Sequence, residues 1–219
     1  MSYLRTLPPD AGLLRIFQAF PELARPLLEY HEVLLRGDSP FTAGERELIA
    51  AYVSRLNECN YCRAVHSQTA VALGIDAKRV ANLLASSPDE DVRYAGNAAD
   101  WRINFRMQPV LALLQKLTLS PGKIGATDVD AIFAAGWDDR ALYDAVAICG
   151  LFNLMNRLVN GLGIEAPDAY MKLAAERLYN HLREQGYTMR RYAVERFVRD
   201  TLKVTLRSER GKRTDLKKT

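Results

Sequence analysis

Apolar residues recur at helical spacing along almost the whole chain, and this periodicity most limits the folds that it can adopt. Leu13, Phe17 and Phe20 illustrate the spacing near the start of the sequence. Sustained strand alternation is absent, and LKVTL at residues 202–206 is its best approximation. The pattern predicts an all-α, single-domain helical bundle over residues 1–187, followed by a basic helix and disordered tail over residues 188–219.

Start and stop signals place the individual helices. Thr42 followed by Glu45 has the spacing of a capping box and predicts a helix over residues 43–56. A second helix should begin at Cys59 or Asn60 and end at Gly74. A helix interrupted at Pro21 and Pro26 is expected over residues 10–36, and residues 138–163 should form the central buried helix. Further helices are expected after Asp76, after Ser87, after a cap at Thr127 or Asp128, and twice beyond residue 166.

The charge of the chain is concentrated at one end. The net charge is +4, yet residues 188–219 hold eleven Arg or Lys against four acidic residues. The body is therefore slightly acidic, which argues against a nucleic-acid-binding domain. No signal sequence and no run of about 20 apolar residues is evident. We expect a cytoplasmic protein that binds neither nucleic acid nor a membrane.

The run RLNECNYCRAVHSQT at residues 55–69 groups Cys59, Cys62 and His66 at helical spacing, so that the three side chains share one face. Three interpretations compete. The residues could be unconnected, or they could bind zinc with a fourth ligand from His31, His181, Cys149 or a carboxylate. The third, a redox-active dithiol, is favoured because the first turn of a helix stabilises a thiolate.

A redox dithiol also needs a proton acceptor, and His66 can serve one turn beyond Cys62. A carboxylate on the preceding helix could face His66 if the two helices meet at a tight connection. Glu47 is the candidate that could turn inward. Glu45 and Glu58 are its rivals, although Glu45 is better explained as a capping residue.

The run ERELIAAYVSRLNECNYCRAVH resembles the signature of the alkylhydroperoxidase D-like, carboxymuconolactone decarboxylase superfamily, which places a Glu on one helix and CxxCxxxH on the next. The match includes Glu47, Cys59, Cys62 and His66. HEVLLRGDSPF, FTAGERELIA and LFNLMNRLVNGLG resemble segments of the peroxidase-related branch. The likeness covers roughly residues 10–185 and implies the all-α bundle of that superfamily.

The resemblance implies a thiol-dependent hydroperoxide reductase that needs no bound cofactor or metal. Cys62 would attack the peroxide, Cys59 would close the disulfide, and Glu47 would orient His66 as the proton relay. A dithiol protein or lipoyl-type donor would reduce the disulfide, and the chain would assemble as a trimer or as a hexamer of dimers. Tyr61 replaces the histidine that precedes the second cysteine in alkylhydroperoxidase D. The related decarboxylases generally lack the cysteine pair, so lactone decarboxylation is not expected.

Five other residues carry expectations. Cys149 should be a buried core thiol, and His31 should lie at the surface. Asn153, Asn156 and Arg157 interrupt an otherwise apolar helix, and burying each unpaired would cost about 1–3 kcal/mol. They should serve structure or subunit contact in preference to lining the pocket above the cysteines. The alternative to an enzyme is a redox-sensing or zinc-binding helical protein that uses the same cysteines.

Overall fold

The computed structural model describes residues 2–85 and 105–165, together with five isolated positions between residues 172 and 180. Over this part of the chain it contains helices and no strand, which confirms the all-α prediction. The elements are α1 Leu13–Ala19, α2 Pro21–Arg36, α3 Ala43–Leu56, α4 Asn60–Ala72, α5 Ala77–Ala85, α6 Met107–Leu119, a 3-10 turn Pro121–Lys123, α7 Ala126–Ala134 and α8 Asp139–Gly161.

Four of the predictions lie outside the described residues. These are the helix entered at Ser87, the two helices beyond residue 166, the basic helix and tail at residues 188–219, and the environment of His181. The division of the chain at residue 187 therefore stays a prediction.

The expected helix over residues 10–36 is two helices, α1 and α2, that meet at Phe20. Pro21 is the first residue of α2, where its missing N–H would have no intrahelical partner in any case. Pro26 lies inside α2 and does not break it. The carbonyl that loses a partner there belongs to Glu22, which is exposed and can bind water. Pro26 was therefore wrongly expected to interrupt the helix.

Helix α3 begins and ends where the sequence predicts. The Glu45 amide donates to Thr42 Oγ1 at 3.2 Å, and the Thr42 amide donates to Glu45 Oε2 at 2.8 Å. This reciprocal pair is the predicted capping box. It also accounts for the Glu45 carboxylate, which is engaged at the start of α3.

Helix α3 is the centre of the described bundle, with all of its residues except Glu45 buried. It packs against α2, α4, α5, α6 and α8. The prediction that residues 138–163 form the central buried helix is therefore wrong. Helix α8 buries one face against α3, and Tyr143, Val146 and Leu154 on its other side are exposed in the described structure.

Helix α8 is long and apolar enough to cross a membrane by length and composition alone. Half of its most apolar window is buried inside the protein. Asp144 and Asn156 are both among its buried residues. A packed core helix passes the same test, so α8 is weak evidence for a membrane span.

A tight turn joins α3 to α4 and places the first cysteine. The Cys59 amide donates to Ser54 O at 2.9 Å and the Glu58 amide donates to Arg55 O at 2.9 Å, which is the pattern of a Schellman motif. Glu58 takes the left-handed conformation, with φ of 54°, that the motif requires and that glycine adopts most easily. Cys59 is thus the last residue of the motif that ends α3, and it is also the N-cap of α4.

The shorter helices follow the predictions with one exception. The Arg79 amide donates to Asp76 Oδ1 at 2.9 Å, as expected for the cap of α5. Helix α7 is capped by Gly125, which lies two residues before Thr127 and three before Asp128, the two predicted caps. The Asp128 carboxylate lies in the first turn and accepts from the Gly125 amide at 2.9 Å. It therefore stabilises the helix start without being its N-cap.

The left-handed residue at the α3–α4 turn gives a stability prediction. The free energy of unfolding of Glu58→Gly should be about 1 kcal/mol higher than that of Glu58→Ala, so the glycine variant is the more stable. Only glycine adopts positive φ without steric cost. Both variants remove the same carboxylate, so Glu58→Ala is the matched control. Urea unfolding monitored by circular dichroism measures the difference. Equal stability of the two variants would contradict a strained Glu58.

Candidate functional site

Both cysteines of the CxxC segment are buried and unbridged, with Cys59 1% and Cys62 2% exposed. Cys59 stands at the N-cap of α4 and Cys62 lies in its first turn. The backbone amides of Tyr61 and Cys62 in that turn hydrogen-bond the Cys59 sulfur. The turn between α3 and α4 thus places a sulfur atom against the positive end of a helix.

The two thiols have very different acidities. The hydrogen bond from the Cys62 thiol lowers the pKa of Cys59 to about 7, and the backbone amides and Asn156 add to this against the effect of burial. The same hydrogen bond, burial and the negative charge on Cys59 raise the pKa of Cys62 well above that of an ordinary thiol. The hydrogen bonds at the start of α4 therefore favour a thiolate on Cys59 over one on Cys62.

His66 lies one turn beyond Cys62 on α4, and its Nδ1 is 2.5 Å from Glu47 Oε2. Because an ionised carboxylate only accepts, Nδ1 carries a hydrogen and donates it to Glu47. The His66 ring also packs edge-on against Phe152 of α8, with centroids 4.6 Å apart. The carboxylate and the aromatic ring together fix the orientation of the imidazole, and Nε2 is left as the nitrogen that can exchange a proton.

Glu47 is fully buried on α3 and is held from both sides, because its other oxygen accepts from the Arg36 guanidinium of α2. Burial alone would raise the pKa of Glu47. The charges of Arg36 and His66 and their hydrogen bonds overcome that effect and lower the pKa to about 2. Glu47 is thus a permanent carboxylate near neutral pH, suited to orient His66 and unsuited to carry a proton.

Of the four residues singled out from the sequence, Glu47 and His66 are in contact, and Cys59 and Cys62 lie at the start of the helix that carries His66. The rival carboxylates are elsewhere. Glu45 caps α3, and Glu58 is exposed at the turn.

Two further residues belong to the same buried cluster and were missed. Arg36 is 1% exposed and Glu32 is fully buried, both on α2. Burial raises the pKa of Glu32 to about 7, although the Arg36 charge opposes this. In the sequence, Glu32 and Arg36 are residues of opposite charge at i,i+4 spacing, a pattern typical of a solvent-exposed helix face. Their burial comes from the packing of α2 against α3, which the sequence pattern does not display.

His31 is buried at 8% exposure, so its predicted surface position is wrong. Its ring lies 6.1 Å from that of His66 and 6.1 Å from that of Phe152. Burial, His66 and Arg36 lower the pKa of His31 to about 3, so the ring is neutral near pH 7. The helical register of α2 carries His31 to the inner face together with Leu28 and Leu35.

Asparagines connect the α3–α4 turn to α8. Asn57 Nδ2 lies 3.2 Å from Asn153 Oδ1 and 3.0 Å from Asn156 Oδ1. Asn156 is fully buried and its side chain hydrogen-bonds both thiols, so it lines the dithiol site. The hydrogen bonds of Asn156 to Asn57 and Ser54 confirm the structural role expected of it, and its position at the thiols is the pocket-lining alternative. Arg157 is exposed and donates to Asn153.

Cys149 is 1% exposed and is a core thiol, as predicted. Its sulfur lies 3.3 Å from Thr118 Oγ1 and 3.3 Å from Asn153 Nδ2. Burial raises the pKa of Cys149, which keeps it protonated near neutral pH. It is connected to the asparagines and takes no part in the Cys59–Cys62 pair.

Apolar side chains surround the dithiol on the side opposite the charged cluster. Ile16, Val159 and Ile164 form a buried group with the two cysteines, and Leu4, Leu7 and Tyr61 pack against it. The N-terminal segment is held over this group by a hydrogen bond of 2.9 Å from the Tyr3 amide to Leu162 O. Among the described residues, an apolar group therefore covers the two sulfur atoms.

Within residues 2–85 and 105–165, no group of three or more His, Cys, Asp or Glu side chains is arranged to hold a metal ion. Zinc binding would require four ligands around one point. In this part of the chain the cysteine pair and His66 have no companions that complete such a set.

The buried Glu32 gives a pH prediction. Between about pH 4.5, its ordinary pKa, and about pH 7, the folded protein keeps a proton that the unfolded chain has released. The contribution of Glu32 to the free energy of unfolding should therefore fall as pH rises through this window, by about 3 kcal/mol at most. Glu32→Gln is neutral at every pH and should lose this part of the dependence.

Urea unfolding at about pH 5 and about pH 8 measures the effect. Glu29→Gln, on the more exposed side of α2, is the control and should keep the wild-type dependence. An identical fall in stability for wild type and Glu32→Gln would contradict a raised pKa at Glu32. His31, with its pKa lowered from 6.5 to about 3, contributes an opposite rise below about pH 6.5 in all three proteins, so the difference between wild type and Glu32→Gln isolates Glu32. The lowered pKa of Glu47 affects stability only below about pH 4.5.

Comparison with known proteins agrees with this geometry. Residues 21–89 match the model of the carboxymuconolactone decarboxylase family. This segment spans α2 to α5 and holds Arg36, Glu47, both cysteines and His66. No curated protein matches the sequence.

Two solved structures are similar in fold. One is an uncharacterized peroxidase-related protein from Silicibacter sp. TM1040, with 23% identity, a TM-score of 0.62, and coverage of 73% of this chain and 78% of that one. The other, described as an alkylhydroperoxidase AhpD core and uncharacterized peroxidase-related protein, comes from Ralstonia eutropha JMP134, with 22% identity, a TM-score of 0.61 and the same coverage.

The resemblance inferred from the motif is therefore confirmed. The family match covers helices α2 to α5, which carry Arg36, Glu47, the two cysteines and His66, and it does not reach α8. Residues 21–89 therefore match the carboxymuconolactone decarboxylase family, and the described bundle has the fold of two structures named as peroxidase-related proteins.

Proposed function

We propose that this protein reduces hydroperoxides with the Cys59–Cys62 dithiol. The observation that carries the proposal is a buried thiol pair with one stabilised thiolate, at the start of the helix that carries a histidine oriented by a permanent carboxylate. Thiolates are the nucleophiles that attack peroxides, and the second thiol at this spacing can close a disulfide. The family match and the peroxidase-related relatives support the same chemistry.

In the first step the Cys59 thiolate attacks one peroxide oxygen. An S–O bond forms and the O–O bond breaks, which oxidises Cys59 to a sulfenic acid and reduces the peroxide. The alkoxide that leaves takes the proton of the Cys62 thiol and departs as an alcohol. Cys62 becomes a thiolate at the moment when its partner becomes electrophilic.

In the second step the Cys62 thiolate attacks the Cys59 sulfur. The S–S bond forms, the S–O bond breaks, and hydroxide leaves as water after it takes a proton that His66 relays. Glu47 holds the hydrogen on His66 Nδ1, so that Nε2 is the nitrogen that exchanges protons, and Arg36 holds Glu47 ionised. The dithiol has then lost two electrons, and an external dithiol must restore them by thiol–disulfide exchange.

The order of the cysteines differs from the one that the resemblance implies, in which Cys62 attacks. The amides at the start of α4 and the Cys62 thiol all donate to the Cys59 sulfur, so the negative charge is more stable there. We therefore assign the attack to Cys59 and the resolving role to Cys62.

The partners follow from this chemistry. We propose a dithiol protein or a lipoyl-type donor as the reductant and a reducing compartment such as the cytoplasm as the location. We also propose a homo-oligomer, a trimer or a hexamer of dimers. The exposed apolar residues Tyr143, Val146 and Leu154 along α8 support self-association.

Thiol titration before and after stoichiometric peroxide, together with metal analysis of the purified chain, tests the proposal. Wild type should lose two thiols without forming cross-linked chains. Tightly bound zinc that protects both thiols, or thiols that persist in peroxide, would favour the zinc-binding alternative and overturn the peroxidase. Oxidation that no dithiol donor reverses in steady state would favour a redox sensor.

Two single-cysteine variants test the order of attack. Cys62→Ser should still form a sulfenic acid, which a dimedone-type probe traps at residue 59. Cys59→Ser should react with peroxide at least about tenfold more slowly, because the remaining thiol, Cys62, is buried and its thiolate is not stabilised. Fast trapping at Cys62 in the Cys59→Ser variant would restore the order that the resemblance implies.

Removing the carboxylate tests the role assigned to His66 and Glu47. Glu47→Gln keeps the shape and removes the charge that orients His66, so disulfide formation should slow by about ten- to a hundredfold. Stopped-flow fluorescence or quenched thiol counting measures the rate. Oxidation as fast as in wild type would remove Glu47 from the mechanism.

A further inference from the structure

Asn156 reaches the dithiol from α8, although it lies 97 positions beyond Cys59 in the sequence. Its side chain is fully buried and hydrogen-bonds both sulfur atoms. A buried amide with four hydrogen-bonding positions needs partners for all of them, and two of those partners fix which way it points.

The oxygen of the amide is identified by Asn57. Asn57 Nδ2 lies 3.1 Å from the backbone carbonyl of Val53, which only accepts, so this atom is a donor. The same nitrogen is 3.0 Å from the Asn156 side chain. The Asn156 atom that faces Asn57 must therefore be the acceptor, Oδ1.

The nitrogen of the amide is identified independently by Ser54. The Ser54 hydroxyl donates its hydrogen to the Ala50 carbonyl at 2.7 Å. It can therefore only accept from Asn156 Nδ2, which lies 3.0 Å away. Both neighbours assign the same orientation, and one N–H of Nδ2 is left for the sulfur atoms.

A neutral amide donor favours the charged form of a thiol. It cannot take the thiol proton, and its hydrogen bond to a thiolate is charge-assisted and stronger than one to a neutral thiol. Asn156 approaches from a different helix than the backbone amides of α4, so the negative charge is held from two directions.

We propose that Asn156 is a catalytic residue of the dithiol site, whose Nδ2 donates to the thiolate and keeps it charged near neutral pH. This inference rests on the proposed peroxide chemistry for its role in turnover. Asn57 and Ser54 are positioning residues that act through Asn156. The family segment at residues 21–89 does not contain Asn156.

The test measures the acidity of the pair directly, by the ultraviolet absorbance of the thiolate during a pH titration. A Cys149→Ala background confines the signal to Cys59 and Cys62. Asn156→Leu should raise the pKa of the first ionisation by about one unit or more, the shift expected from the loss of one hydrogen bond to a charged group.

Asn153→Leu is the matched control, because Asn153 lies one turn earlier on α8 and contacts Asn57 and Cys149. It should leave the pKa of the pair unchanged. Ser54→Ala removes the hydroxyl that accepts from Asn156 Nδ2, so the Asn156 amide keeps one positioning hydrogen bond fewer. It should raise the pKa by less than Asn156→Leu does.

A pKa in Asn156→Leu equal to that of wild type, with an unchanged circular dichroism spectrum, would overturn the inference. If the leucine variant does not fold, Asn156→Ser provides the same test, because serine keeps a polar group but is too short to reach the sulfurs. The titration uses no peroxide. A shifted pKa in a protein that peroxide does not oxidise would therefore overturn the peroxidase alone.

Discussion

The buried carboxylate of Glu47 is the interaction on which the rest of the site depends. An isolated charge without solvent would be strongly destabilising, and a buried ion pair is tolerated only when its hydrogen bonds are well formed. Here one oxygen accepts from Arg36 and the other from His66. Because the three residues lie on α2, α3 and α4, the charge is compensated only when all three helices are packed. The fold and the histidine orientation are thus established together.

The sulfur chemistry depends on a second feature, the turn in which one residue ends a helix and begins the next. Cys59 closes the Schellman motif of α3, and its sulfur accepts hydrogen bonds from the first amides of α4. A separate charged group is therefore not needed to stabilise the thiolate. The charged cluster of Glu47 and His66 is left to handle protons, while backbone amides and Asn156 hold the negative sulfur. This separation suits a dithiol, in which only one of two neighbouring sulfurs should be charged at a time.

Local signals in the sequence were sufficient for the features that arise from neighbouring residues. The capping box of Thr42 and Glu45, the all-α fold and the CxxCxxxH face all depend on spacing within one or two turns. Local spacing does not reveal the role of Arg36, and it marks Asn156 only as a polar residue in an apolar helix, because both roles arise from contacts between helices. The same limit explains the errors at His31 and at α8. Which helix becomes central is decided by how many neighbours surround it, and α3 has them on every side although α8 is longer.

The hydrogen bonds to the Cys59 sulfur are strongest when that sulfur is a thiolate, so they stabilise the reduced protein more than the disulfide. By a thermodynamic cycle, each bond raises the reduction potential of the Cys59–Cys62 couple and makes the oxidised protein a better electron acceptor. In the proposed peroxide chemistry, the low pKa of Cys59 would therefore favour both the attack on peroxide and the return to the dithiol. A donor of only moderate reducing strength is enough to regenerate such a site.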